Sequence, residues 1–256
     1  MLKNKNFKTI LITGASSGLG RSLALNYAKQ GVLLFLNGRD RERLLETVQL
    51  CESKGSKVIF QNLDVNDKSA MKNWIINCDK VSDIDLVIAN AGISLGTSCK
   101  NDEFNDDFYN IFSTNIFGVL NTILPIIPRM IERKNGQIAL VSSMSSFIGM
   151  PSCPAYSSSK ACIKTLGESL RGYLKEYNIG VSTICPGFIK TPLTDKNNFN
   201  MPMIMSCEKA SKIIIKGISK NKGLIVFPFI YYIILKLLRF LPFNFTNYIF
   251  SKLPKK

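Results

Sequence analysis

The 256-residue chain contains no histidine and a single tryptophan. Without histidine the commonest general base and metal ligand is missing, so proton transfer has to run through carboxyl, phenol, amine or thiol groups. Seven cysteines, at 51, 78, 99, 153, 162, 185 and 207, form no CxxC pair, and no imidazole is present to complete a zinc site, so no metal is expected. An odd set of thiols fits a reducing compartment better than a disulfide framework. The N-terminus "MLKNKNFKTILITG" lacks the long apolar region and small-residue cleavage site of a secretory signal, and the expectation is a cytoplasmic protein. No Ser-, Gly- or Pro-rich linker and no internal repeat interrupts the chain, so residues 1–256 are expected to form one domain.

Acidic residues are also missing from everything beyond Glu208, where ten lysines and arginines follow: Lys209, Lys212, Lys216, Lys220, Lys222, Lys236, Arg239, Lys252, Lys255 and Lys256. The formal net charge is +15. That asymmetry suggests an anionic partner, or else a solvated lysine-rich face. Apolar residues make up 46% and charged residues 20% of the chain, the balance of a globular protein and not of a disordered one.

What is present in quantity is short apolar runs: "KTILIT", "VLLFLN", "KVIFQNLDV", "DLVIANAG", "GQIALVSS", "VSTICPG" and "GLIVFP". Each has the length of a strand buried on both faces, and stretches long enough for a helical crossover separate most of them. The fold class predicted is α/β, a doubly wound parallel sheet of about seven strands with helices on both faces. Ligands of such sheets bind beyond the carboxyl ends of the strands, where this chain places its unusual residues.

The first such loop, "ITGASSGLGRS", precedes a helix expected to begin near Leu19. Gly14, Gly18 and Gly20 permit a tight turn, close backbone approach to a pyrophosphate and close helix packing, and the helix N-terminus favours an anion. Ser16 and Ser17 add hydroxyl donors. A P-loop would need glycine in place of Ala15 and lysine in place of Arg21.

In "GMPSCPAYSSSKA", Tyr156 and Lys160 are spaced to share one helical face, with Cβ atoms about 5–6 Å apart. A phenol is a poor base at neutral pH. A cation about 4 Å away, at an effective dielectric near 20, supplies about 4 kcal/mol, which predicts a phenol pulled down toward the working range of an acid/base catalyst. The same segment holds Ser157-x-x-Lys160, a serine-hydrolase pattern, but the companion SDN and KTG elements are absent.

TGASSGLG, Asp64-Val65, Asn90-Ala91-Gly92, Asn115, Ser143, Tyr156-x-x-x-Lys160 and Pro186-Gly187 with Thr191, in that order, resemble the short-chain dehydrogenase/reductase family over about residues 7–195. The resemblance implies a Rossmann-like fold and an enzyme acting on CH–OH donors. Tyr156 would exchange a proton with the substrate oxygen, Ser143 would hydrogen-bond that oxygen, Lys160 would also hold the nicotinamide ribose, and Asn115 would anchor a water in the proton relay. The spacing to Tyr156 favours Ser143 over its neighbours Ser142, Ser145 and Ser146. Gly14 to Gly20 (with Ser16, Ser17, Gly18 and Leu19), Asp64, Asn90, Gly92, Pro186, Gly187 and Thr191 would bind the dinucleotide, Asp64 at adenine and Thr191 at the nicotinamide amide.

Gly38 stands where the family's NAD-selecting acid would be, followed by Arg39. A guanidinium can grip a 2′-phosphate, so NADP(H) is expected in preference to NAD(H). The competing readings of Arg39 are a helix-opening residue or a partner of Asp40. A non-catalytic protein that keeps the dinucleotide fold and acts through a partner or a membrane is the alternative to the enzyme.

The remaining segment is the least ordinary. Residues 189–222, including the methionines at 201, 203 and 205, fall where the family keeps its variable substrate lid. Residues 223–256 form a hydrophobic, basic extension whose longest uncharged run, Gly223–Leu235, is about 13 residues, too short to cross a bilayer. Membrane association, a lid and a subunit interface are all open readings of it; the family's usual dimers or tetramers supply the last. The apolar excess carries no base-reading module, so nucleic acid is not expected. Together these features suggest a hydrophobic carbonyl or alcohol as substrate and a role in lipid metabolism.

Overall fold

In the computed structural model of the chain, residues 5–94, 103–195 and 200–252 are described. Lys255, Lys256 and Cys99 lie outside them. Seven parallel strands form one sheet in the order β3-β2-β1-β4-β5-β6-β7, with β1 at Thr9–Ile12, β2 at Leu33–Gly38, β3 at Lys57–Asn62, β4 at Leu86–Ala89, β5 at Gly136–Val141, β6 at Ile179–Pro186 and β7 at Leu224–Phe227. All seven apolar runs are therefore strands. The chain order reverses direction between β1 and β4, which opens a crevice at the carboxyl edge of those two strands.

The central strands β1, β4, β5 and β6 are buried along their whole length. Alternation within a strand sends Ile10 and Ile12 to one face and Leu11 to the other. On the first face lie α1 (Gly18–Tyr27), α2 (Arg41–Glu52) and α8 (Cys207–Ser219), contributing Leu23, Leu44, Val48, Ile214 and Ile218. On the second lie α3 (Lys68–Val81), α5 (Gly118–Ile123), α6 (Ile127–Arg133) and α7 (Pro154–Tyr173), contributing Met71, Ile75, Ile123, Met130 and Ile163. Burial on both faces fails at the sheet edge: β3 alternates between exposed and half-buried residues, because an outermost strand has a neighbour on one side only.

Helix starts follow local chemistry. Asp40, Asp67 and Ser206 each accept a hydrogen bond from the backbone amide three residues on, capping α2, α3 and α8, and Pro154 occupies the first turn of α7, where its missing N–H costs nothing. The helical run from α4 (Glu103–Phe112) through a π-turn at Ser113–Phe117 into α5 and α6 is long and apolar enough, over Asp106–Arg133, to pass as a membrane span. It packs instead against α3 and α7 as a core layer.

The stretch 189–222, expected to be a lid, divides. Its second half is α8, which packs on α1 with Ala210, Ile214 and Ile218 buried, so a covering role is left to the residues before Ser206. A helix with an apolar stripe at this spacing must bury it. Beyond β7, α9 (Phe229–Leu238) and α10 (Phe243–Ser251) form a terminal helical pair that starts anew at Pro242. Leu235 and Phe250 pack with Met144, Phe147 and Cys185 in a third, smaller cluster, in which Phe147 and Tyr232 meet edge to face at 5.1 Å.

Candidate active site

The loop after β1 is built around glycine for steric reasons. Gly14 sits at φ +69° and Gly18 at φ +54°, a conformation glycine adopts freely. At Gly20 a Cβ would lie 2.1 Å from the Gly14 carbonyl oxygen, so the turn cannot close with any side chain there. The helix it opens, α1, is preceded by Ser17, whose side chain does not cap it, and has no acid in its first turn. Its amides and dipole face the crevice uncountered, which suits a phosphate. A dinucleotide therefore fits this cradle.

Beside it, a Cβ on Gly38 would lie 3.0 Å from Ser16 Cβ, a tight contact that Ser16 would have to yield to. Asn62 holds the next residues by donating to the Gly38 and Arg39 carbonyls at 2.8 and 2.7 Å. The Arg39 side chain is 58% exposed and its guanidinium stands 3.7 Å from the Asp64 carboxylate. Asp40, the other partner open to it from the sequence, is engaged by Arg43 and by capping α2.

After β4, Asn90 donates to the Thr13 and Gly14 carbonyls at 3.0 and 3.3 Å and so locks the glycine turn to the neighbouring strand. Gly92 lies where a Cβ would meet Asn115 Oδ1 at 3.0 Å and Lys160 Nζ at 3.1 Å. Asn115 sits in the π-turn, wholly buried. It accepts from the Ile93 amide at 2.8 Å and donates to the Ile93 carbonyl and to Ser159 Oγ, both at 3.0 Å. One extra residue in a helical turn re-aims a side chain, and here it turns Asn115 onto the loop after β4.

The serine cluster after β5 resolves by partner. Ser142 donates to the Lys160 carbonyl at 2.7 Å, and Ser146 donates to the Ser143 carbonyl at 2.5 Å. Ser145 Oγ is buried without a hydrogen-bond partner among the described residues. The Ser143 hydroxyl, which accepts from the Ser145 amide at 3.2 Å, lies close enough to the Tyr156 phenol to pull its pKa down. The Lys160 ammonium lies 5.8 Å from the centre of the Tyr156 ring and donates to the Val141 carbonyl at 3.0 Å. Ser157, of the rival serine–lysine pattern, turns away and donates to the Pro154 carbonyl at 3.2 Å.

The electrostatics differ from the expectation of a phenol lowered by its lysine. Burial pushes Tyr156 up to about 12, against the opposing pull of the Ser143 hydroxyl, and burial pushes Lys160 down to about 8. The reason is that Lys160 is itself desolvated: a buried ammonium loses stabilisation as a charge before it can stabilise a second one.

Beyond β6, the Gly187 amide donates to the Phe227 carbonyl at 2.7 Å, and a Cβ there would meet Pro228 Cδ at 2.9 Å, tying Pro186-Gly187 to β7. Thr191 lies over the start of α1, its methyl 3.2 Å from where a Gly18 Cβ would be, and its loop is closed by Thr194 Oγ1, which accepts from the Thr191 amide at 2.9 Å. The tertiary structure thus brings Asn115, Ser143, Tyr156 and Lys160 to one end of the sheet with the glycine turn, Asn90, Gly92 and Thr191, while Arg39 and Asp64 lie together at the β2–β3 end. Thr13, Val141 and Ser159, which hold the site together, are not singled out by the motifs. A backbone carbonyl such as that of Val141 leaves no trace in a sequence, whereas Thr13, adjoining Gly14, was within the motif itself. Among the described residues no group of three or more cysteines and carboxylates is gathered as a metal would require.

The family model for short chain dehydrogenases matches residues 8–201. The chain belongs to the short-chain dehydrogenase/reductase family. A curated relative from Myxococcus xanthus, an uncharacterised oxidoreductase, is 38% identical over 224 residues, covering 87% of this chain and 88% of its own. Two solved short-chain dehydrogenases share the fold. One from Burkholderia phymatum, in complex with NAD, superposes with a TM-score of 0.83 at 22% identity over 93% of this chain and 95% of its own. The other, from Sphingobium yanoikuyae in complex with NADPH, gives 0.79 at 22% identity over 96% of both chains. As a short-chain dehydrogenase/reductase the protein is an oxidoreductase, and its seven-stranded Rossmann-like sheet is that of the family.

Proposed function

We propose that the protein is an NADP(H)-dependent oxidoreductase that interconverts a carbonyl and a secondary alcohol on a hydrophobic, lipid-like substrate. The observation that carries this reading is the convergence of the Tyr156 phenol, Lys160 and Asn115, with Ser143 nearby, beside a tight glycine turn. A bound nicotinamide dinucleotide would supply or accept the hydride.

Tyr156 is the general acid/base. With its pKa near 12 the phenol is protonated at neutral pH, the form that gives a proton to a carbonyl oxygen. Ser143 holds that oxygen by a second hydrogen bond. Lys160, near its own midpoint at about 8, supplies positive charge as the phenolate forms. Asn115 is a positioning residue that keeps the Gly92–Ile93 loop in place and, by family resemblance, anchors a relay water. Gly14, Ser16, Ser17, Gly18, Leu19 and Gly20 cradle the pyrophosphate. Arg39 would hold the 2′-phosphate, and two solved relatives bind NAD and NADPH respectively, so the choice rests on Arg39 and on the lack of an acid at Gly38.

Support for an apolar substrate comes from the segment 200–205, whose methionines Tyr231 of α9 holds in place by donating its hydroxyl to the Pro202 carbonyl at 3.0 Å. Flexible thioethers adapt to apolar ligands. Exposed Tyr109, Phe117, Leu124 and Tyr173, on the outer helices, suit self-association as a dimer or tetramer.

The test is NADPH oxidation with a series of ketones of increasing chain length. Turnover that rises with chain length supports the reading. Efficient turnover of short polar ketones alone removes the substrate class, and NADPH binding without turnover of any carbonyl favours the non-catalytic alternative.

A further inference from the structure

The pair α9–α10 carries apolar side chains on the wrong side for a water-facing element. Its inward residues, Leu235 and Phe250 with Tyr231, Tyr232 and Leu238, pack on the core. Ile230, Ile233, Ile234 and Leu237 then follow at helical spacing of i, i+3, i+4 and i+7 on the outer face, between 39% and 61% exposed. Phe240 at 86%, Phe245 at 52% and Tyr248 at 62% extend the stripe into the turn and α10. A helix apolar all round is one that needs a cover on both sides.

The rim of this face is cationic. Lys236 of α9, its ammonium 4.9 Å from the centre of the Tyr232 ring, Arg239 just after α9 and Lys252 just after α10 are all exposed. Phe229, the first residue of α9, is shared with a groove of about 380 Å³ between α8 and β7, whose other lining includes Lys216, Lys220, Lys222, Ile213 and Val226. The apolar stripe and the lysine-edged groove are therefore continuous through Phe229. No acidic residue follows Glu208 in the chain.

We infer that α9, α10 and the adjoining α8–β7 groove form a docking surface for an anionic lipid bilayer. Charge complementarity commits the face to that occupant: a second copy of this chain would bring the same unopposed positive charge against itself, whereas acidic headgroups above an acyl layer match both parts of the surface. At ten residues α9 is about 15 Å long, half the hydrocarbon thickness, so the pair lies in the interface with its lysines reaching outward to the headgroups. The inference stands apart from the redox reading, since it needs neither cofactor nor substrate.

The experiment is vesicle flotation of the full-length protein, with phosphatidylcholine vesicles and with equal mixtures of phosphatidylcholine and phosphatidylglycerol, at low and high salt. Binding to the mixed vesicles should exceed that to phosphatidylcholine by about tenfold or more and fall steeply with salt. The double variants Ile233→Ser/Leu237→Ser and Lys220→Glu/Lys222→Glu, each checked for an unchanged melting temperature, should each lower it about tenfold or more. Equal binding to both vesicle types, or none to either, overturns the inference. So does a dimer in light scattering that Ile233→Ser/Leu237→Ser converts to monomer, because the face would then be covered by a second copy. The wild-type salt dependence decides the matter even if a variant fails to fold.

Discussion

The Lys160 ammonium donates to the Val141 carbonyl, 3.0 Å away, and stands 5.8 Å from the centre of the Tyr156 ring. Burial holds it down at about 8, below the 10.5 of a free lysine. Between those values the unfolded chain binds the extra proton, so this group makes stability rise as pH climbs from about 8 to 10.5, and its cost is full below 8. Lys160→Met should remove that rise and stabilise the fold at pH 7 by up to about 3 kcal/mol, while turnover falls at least a hundredfold. Urea denaturation at pH 7 and pH 10 checks it; an unchanged pH dependence in the variant would refute it. Tyr156 acts in the opposite sense only above pH 10, where the native phenol keeps a proton that the unfolded chain has lost.

Tyr156→Phe keeps the ring and removes the proton. Carbonyl reduction should fall by about a thousandfold, with NADPH affinity within a few-fold of wild type. Steady-state kinetics alongside calorimetric titration separates the two effects, and a comparable loss of affinity would mean that the hydroxyl serves binding instead.

Arg39 and Asp64 compete for one another at 3.7 Å. Because the pair is exposed, its rupture costs little, and the guanidinium is available to a 2′-phosphate. Arg39→Ala should weaken NADPH binding about 10- to 100-fold and leave NADH binding nearly unchanged. Equal weakening of both cofactors would show that Arg39 supports the loop and does not discriminate.

At Gly20 an added methyl would meet the backbone carbonyl of Gly14 at 2.1 Å. Gly20→Ala should therefore cost about 3 kcal/mol or more and abolish cofactor binding, whereas Gly149→Ala, with nothing within 4 Å of the new Cβ, should be nearly silent in the same thermal melts. A well-folded Gly20→Ala that still binds NADPH would contradict the geometry.

Asn115 satisfies both the amide and the carbonyl of Ile93 from a fully buried position. Asn115→Leu leaves both unpaired, and a loss of about 2–4 kcal/mol in stability is expected, with kcat falling more than KM rises because the loop beside Lys160 loosens. If stability drops while kcat at saturating cofactor does not, the residue is purely structural.

The apolar runs, the glycine turn and the Tyr156–Lys160 spacing determine on their own that a parallel sheet forms, that its first loop admits a phosphate, and that a phenol and an amine share a helical face. These are local statements: a strand buried on both faces has to be apolar throughout, and a turn that admits no Cβ has to be glycine. The same locality explains why all seven strands were legible while the edge exposure of β3 was not. What only the tertiary structure decided depends on neighbours far apart in the chain. It gave Ser142 and Ser146 backbone partners of their own and left Ser143 beside the Tyr156 phenol, and it turned Asp64 toward Arg39. It drew α8 out of the expected lid into the core. It also reversed the expected shift of Tyr156, because the sign of a pKa shift depends on how deeply both charges are buried, and burial is a property of the whole fold.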